Sequence, residues 1–351
     1  MRSLRSDNNA GLCPEALAAL IEANDGSHAV GYGDDAWTTA AIAAFHDIFG
    51  SEISAWMVAS GTAANTLAIA SLTQPWQRIL CHAHAHLNDD ESTAPERITH
   101  CRVTAIETEP GRSKLLPRDI EQHGSNTRGD VHQPAAGVVS ISNPTEFGEV
   151  YSPEEMSALC AAAHAFGYRL HVDGARFANA VASLGCHPRA ITADAGIDAL
   201  SFGGTKNGLA YGEAVIFFPQ RNGDAFTRAQ HDFPFHRKST GHLLSKHRFV
   251  AAPFAATLKD NIWLRHAAHA NAMATRLANG LEKRGIRLMY PCQANGVFAV
   301  LAPEQQKALE SRGHGFYMFG DAAWNLARFM ASFNTETDEV DRLIHDLPPG
   351  D

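Results

Sequence analysis

Lys206 and Asp173 are the pair in this sequence best placed to do covalent chemistry together. Lys206 closes the run Ser201-Phe-Gly-Gly-Thr-Lys and is the sole lysine between Lys114 and Lys238, in a chain that has only seven. Gly203 and Gly204 let a bulky ligand approach the backbone. An amine at the end of an apolar strand is poorly solvated there and set up to attack a carbonyl. Asp173 ends another apolar run, Arg169 to Val172. Singly, the two residues read as a helix cap and a solvated lysine. Together they meet the needs of pyridoxal 5′-phosphate (PLP): an amine for a Schiff base, and a carboxylate that keeps the ring nitrogen protonated so that the ring accepts electrons.

The elements that must position the pair follow from the local pattern. Strand 169–172, helix 176–184 and strand 198–202 form a βαβ unit, so both C-terminal strand ends reach one sheet edge, where open α/β sheets bind ligands. An earlier strand, Ile53 to Val58, runs through Ala59 into Ser60-Gly61-Thr62 and an apolar helix ending at Leu72. Strand, small polar turn and helix N-terminus suit a phosphate, though such a turn is most often only a cap. It lacks the Walker lysine and the GxGxxG spacing, which argues against a nucleoside triphosphate or a dinucleotide. After the strand Arg78 to Cys81 come His82, His84 and His86, which share a face if the strand continues. Three imidazoles 6 to 7 Å apart (about two residues of strand rise each) are too splayed for one metal ion without a bend, and stacking of one on a pyridine ring fits better.

Further strands fall at Arg102 to Ile106, Gly137 to Ser142 and Glu213 to Phe218, with a helix at Pro153 to Phe166. Beyond these the pattern turns helical, over Gly241 to Leu258 and Ile262 to Arg284. Strands at Ile286 to Met289, Gly296 to Leu301 and Asn325 to Ala331 and helices at Glu304 to Ser311 and Glu336 to His345 close the chain. The expected class is α/β, with an arm (1–13), a large domain of mostly parallel sheet flanked by helices (14–240) and a small α+β domain (241–351). A net charge of −9 with no basic block argues against nucleic acid and anionic membranes. No apolar run approaches a membrane span and the N-terminus lacks a signal-peptide core, so the expected location is cytoplasmic. Six cysteines without a CxxC suit reduced thiols.

Six runs in order, LRSD at 4–7, YGDD at 32–35, SGTAAN at 60–65, HAH with the acids up to Glu91, HVDGARFANA at 171–180 and SFGGTKNG at 201–208, resemble the fold type I PLP-dependent L-threonine aldolases, in the low-specificity L-threonine and phenylserine branch. The resemblance implies that Lys206 carries PLP, Asp173 faces its ring nitrogen, His86 stacks on the ring, Ser60, Gly61 and Thr62 bind its phosphate, and Thr205 belongs to the cofactor-binding set. It implies that Ser6, Arg176 and Arg328 grip the amino-acid carboxylate, for which the planar arginine fork is suited. Tyr32 and a basic residue, Lys246 or Arg248, are implied to reach a neighbouring subunit's pocket in a homo-oligomer, a dimer with shared sites or a tetramer. Where many members carry a histidine near the substrate hydroxyl, this chain has Glu146. The implied reaction is aldol cleavage of a β-hydroxy-α-amino acid to glycine and an aldehyde, with His86 as base, directly or through water, and Glu146 as second candidate. The rivals are β-elimination or transamination on the same scaffold, a metal-dependent hydrolase built on His82, His84, His86, Asp89 and Asp90, and a silent binding protein.

Overall fold

The computed structural model describes residues 3–125, 128–219 and 224–348. Seven strands build the main sheet: β1 (Ser54–Val58), β2 (Gln77–His82), β3 (Arg102–Ile106), β4 (Ala135–Ser142), β5 (Arg169–Gly174), β6 (Ala199–Gly203) and β7 (Glu213–Phe217). Their order is β1-β7-β6-β5-β4-β2-β3. Only β7 runs against the rest, pairing antiparallel with both neighbours. Its first residue, Glu213, therefore lies at the edge where the other strands end.

Strands β6 and β7 are buried throughout and β4 and β5 over most of their length, as strands covered on both faces must be. One face packs against the helices Ala36–Phe49, Phe177–Leu184 and Arg248–Leu258, through Phe45, Phe49, Phe177, Phe202 and Phe254. The other face packs against Gly61–Leu72 and Asp224–Ser239. A second sheet, in the order β8 (Gly296–Val300), β10 (Leu326–Met330), β9 (Tyr317–Met318), is antiparallel. The helix Ile262–Lys283 joins the two cores, Trp263 and Ala267 contributing to the first and Ala274, Leu277 and Leu281 to that of the small sheet. The N-terminal arm docks on the small sheet: Leu4 is buried in its core and its carbonyl accepts from the Met330 N–H at 2.7 Å.

Two expectations need correction, and one helix lies outside them. Residues Ile286 to Met289 form no strand, only the isolated bridge from Leu288 to Ala299. Helix begins at Arg248 and not at Gly241, because Gly241 sits at φ +82 and its N–H caps the preceding helix at the Lys238 carbonyl. That preceding helix, Asp224–Ser239, was unforeseen: Ala225, Ala229 and Phe233 form its buried stripe despite Pro234 in its interior.

Candidate active site

Strands β5 and β6 are parallel with Asp173 opposite Ser201, so Asp173 and the turn carrying Lys206 leave the same sheet edge. The Asp173 carboxylate is fixed at both oxygens. Oδ1 accepts from the Ala175 N–H and Oδ2 from Asn65 Nδ2, each at 2.9 Å. Burial pushes this carboxyl up, but His86, Lys206 and the two hydrogen bonds outweigh it and hold it below the usual carboxylate range. At neutral pH it is an anion, as a partner for a protonated ring nitrogen must be.

Asn65 does two jobs. Its Nδ2 also donates to Glu91 Oε1 at 2.8 Å, and that oxygen lies 2.9 Å from His86 Nδ1. The helix that begins at Ser60 thus ties the ring-nitrogen carboxylate to a His86–Glu91 pair whose acid is wholly buried. The hydrogen bond that His86 Nδ1 donates to Glu91 raises the imidazole above its ordinary value against the opposing effect of burial, and Asp173 and Glu146 add to the rise. The shared histidine face does not form. Strand β2 stops at His82, where the Ala85 N–H turns back to the His82 carbonyl, and His86 starts a short helix, His86–Asp89. His82 Nε2 bonds Thr108 Oγ1 at 3.0 Å and His84 pairs with Asp89 at 3.3 Å. Among the described residues the three imidazoles do not converge on a metal position, so the HAHAH run forms no common metal centre.

Ser60 caps the helix Gly61–Leu72, accepting from the Ala63 N–H at 3.4 Å. No heavy atom lies within 4 Å of where a Cβ on Gly61 would stand. Open space before the free N–H groups of a twelve-residue helix fits a phosphate.

On the small-sheet side two guanidiniums meet one acid. Arg176 binds Asp7 through both nitrogens, Nε to Oδ2 at 2.6 Å and Nη2 to Oδ1 at 3.0 Å, and Asn295 Nδ2 donates to the same Oδ2 at 3.0 Å. Arg328, on β10, lies 4.9 Å over the Phe319 ring and 5.7 Å over Tyr317. Its Nε is buried without a hydrogen-bond partner. Burial pulls this guanidinium down, and Arg176 adds to that. Asp7 pairs with Arg176, whereas no acid is hydrogen-bonded to Arg328, on which Asp7, Glu146 and Asp90 act only at a distance. A substrate carboxylate would answer both that charge and the orphaned donor. Ser6 sits at the start of the same arm segment, accepting from the Asn8 N–H at 3.2 Å.

Glu146 Oε1 accepts from the His86 N–H at 3.0 Å and the Ser142 hydroxyl at 2.7 Å, which places it beside His86. Tyr32, Lys246 and Arg248 lie elsewhere. Tyr32 is 53% exposed at φ 64, with Lys238 Nζ 4.7 Å over its ring. Lys246 is exposed, and Arg248 starts its helix over Phe249. Among the described residues no hydrogen bond or ion pair joins any of these three to Lys206, Asp173 or His86.

The family profile of β-eliminating lyases matches residues 3–304. The chain belongs to the β-eliminating lyase family. Within that family it is 43% identical to a low-specificity L-threonine aldolase of Pseudomonas aeruginosa, over 97% of this chain and 96% of the relative. A low-specificity L-threonine aldolase of Saccharomyces cerevisiae is 29% identical over 84% of this chain and 73% of its own. Among solved structures, a threonine aldolase of Leishmania major superposes with a TM-score of 0.89 at 27% identity, covering 98% of both chains. A serine palmitoyltransferase structure with PLP matches at TM-score 0.69 and 17% identity, a likeness of fold alone. The fold is that of the fold type I PLP enzymes. The residues present fit such a cofactor: an open helix N-terminus for phosphate, an anionic Asp173, an imidazole and a lysine around one edge. Sequence reasoning missed Asp7, Asn65, Glu91 and Asn295 as site residues, although the first three lie within the quoted runs LRSD, SGTAAN and the acidic stretch after HAH.

Proposed function

We propose that the protein is a PLP-dependent aldehyde-lyase that cleaves L-threonine and related β-hydroxy-α-amino acids to glycine and an aldehyde. The observation that carries this reading is the pairing of an arginine cluster one carboxylate short with a lysine, an anionic aspartate and a raised imidazole on one sheet edge. Near-full-length likeness to low-specificity L-threonine aldolases supports it.

Lys206 would hold the cofactor through its amine, and Asp173 would pair with its ring nitrogen. Bound PLP supplies a sink for the electron pair released when the Cα–Cβ bond breaks. Arg328 takes the substrate carboxylate, with Arg176, held by Asp7, alongside. That grip turns the Cα–Cβ bond toward the orientation in which it breaks, an effect of positioning. His86 Nε2 accepts the β-hydroxyl proton while Nδ1 stays on Glu91, and the electrons of the O–H bond become the aldehyde carbonyl. Glu146 stands next to His86 as the second candidate and shapes the space for the β-substituent. Side-by-side assay of glycine and aldehyde release from L-threonine, L-allo-threonine and phenylserine tests the function. Absence of glycine from all three contradicts it.

The same reading extends to assembly and location. Tyr32 and one basic residue, Lys246 or Arg248, reach a neighbouring copy's pocket in a homo-oligomer, supported by the exposure of Tyr32 and Lys246 on the segments around 31–35 and 245–248, which pack together through the Tyr32 N–H and Ser245 carbonyl at 3.0 Å. Light scattering that finds only monomer refutes this. No helix among the described residues is long and apolar enough to cross a membrane, and the protein works in the cytoplasm on a small amino acid.

A further inference from the structure

Glu213 is a charged residue in a strand that is otherwise Ala-Val-Ile-Phe and buried throughout. Its position in the sheet is specific. As the first residue of the single reversed strand it sits opposite Val58 on one side and Gly203 on the other. Two residues past Val58 comes Ser60 of the phosphate turn, and three past Gly203 comes Lys206. The carboxyl therefore stands between the segment that cradles phosphate and the segment that carries the reactive amine.

Its hydrogen bonds go to the lysine segment. Oε2 accepts from the Gly204 N–H at 2.6 Å, and the Thr205 side chain bonds the same carboxyl. That segment has no slack elsewhere. A Cβ on Gly203 would stand 2.2 Å from the Ala175 carbonyl oxygen, and one on Gly204 would meet the Gly212 carbonyl oxygen at 2.5 Å and the Phe254 ring at 2.7 Å. The direction in which Lys206 leaves β6 is set by these contacts and by the one side chain that holds Gly204 and Thr205 from β7.

We propose that Glu213 is a positioning residue, a buried carboxylic acid that fixes the Gly204–Lys206 turn against the phosphate turn and so sets Lys206 for its bond to the cofactor. This rests on Lys206 being the cofactor lysine. Burial pushes the carboxyl up to about 7, the two hydrogen bonds and Lys206 pulling against it and Asp173 adding to the rise. A phosphate held at Ser60 to Thr62 brings further negative charge to the same edge and drives the carboxyl further toward the protonated form. In either protonation state it keeps an oxygen to accept from Gly204.

The test uses the full-length protein stripped of cofactor and titrated with PLP, for wild type, Glu213→Gln and Glu213→Ala. Two quantities are read besides activity: the affinity for PLP, and the pH midpoint of the visible band of the PLP–lysine adduct. Glutamine has an oxygen to accept and an N–H to donate but no charge to lose. Glu213→Gln is expected to hold PLP within about threefold of wild type with an unmoved midpoint, and Glu213→Ala to lose about 30-fold, the scale of one or two buried hydrogen bonds. Wild-type affinity in Glu213→Ala overturns the proposal. So does a Glu213→Gln protein that binds PLP tenfold or more weaker or shifts the midpoint, since charge and not hydrogen bonding would then be required; this arm stands even if the alanine variant does not fold. A wild-type protein that gives no visible band with PLP overturns both this proposal and the proposed function, whereas a normal wild-type band with the wrong variant pattern overturns this proposal alone.

Discussion

Replacing Glu91 by Gln should move the acid limb of the pH–rate profile downward. The structure fixes the size of the shift. His86 Nδ1 and Glu91 Oε1 are 2.9 Å apart, and the Glu91 side chain has no exposure. A hydrogen bond to a charged partner is worth about 1.5–3 kcal/mol. The His86 side chain is 34% exposed, so solvent screening places the effect near the lower bound. At about 1.4 kcal/mol per pH unit, that is a shift of about one unit. Burial, which lowers His86, and Asp173 and Glu146, which raise it, all remain in the variant, so the midpoint falls toward the ordinary histidine value. The sign follows from the chemistry: a base must be neutral, and losing the anion beside it lets the proton leave at lower pH. Stability moves with the opposite sign. The folded imidazole titrates above its unfolded value, so the pair's contribution is complete below about 6.5 and is lost as pH rises through the folded value. Activity measured as kcat/KM from pH 5 to 9, with denaturant unfolding over the same range, checks both. A midpoint that stays put or rises refutes the assignment of His86 as the base held by Glu91.

Two further variants probe the carboxylate grip. Arg328→Ala should raise KM for the amino acid by about 30- to 150-fold, the loss of about 2–3 kcal/mol from a charged hydrogen bond, while PLP affinity stays unchanged; an unaltered KM refutes the role. Asp7→Asn leaves Arg176 buried without its anion, at a cost of about 3–5 kcal/mol, read as a fall in unfolding free energy together with a raised KM. Wild-type stability in that variant contradicts the buried ion pair.

Legibility in the sequence depended on how local the signal was. The strand–helix–strand unit around Asp173 and Lys206 and the strand–turn–helix at Ser60 are contiguous runs, and the structure has them within a residue or two. The Asp7–Arg176 pair spans 169 positions and the Asn65–Asp173 bond 108, distances that no periodicity encodes. Glu91 was within reach, five residues from His86, but the reading of the histidines as one extended strand hid it, because on a strand residues five apart point to opposite faces. Only the reversal at His82, made by a single backbone hydrogen bond, turns that stretch into a short helix and brings the two side chains together. Glu213 was legible as a strand start and illegible as a site residue, since its place beside Gly204 depends on β7 running against its neighbours.

The central claim is that the amine of Lys206 carries the cofactor. Borohydride reduction of the PLP-loaded protein followed by peptide mass mapping tests it directly. The account predicts a reduced pyridoxyl-phosphate adduct on the peptide containing Gly204-Thr205-Lys206 and on no other lysine, with the visible band lost in Lys206→Ala. An adduct spread over surface lysines such as Lys246 and Lys259, or a Lys206→Ala protein that keeps the band, contradicts it.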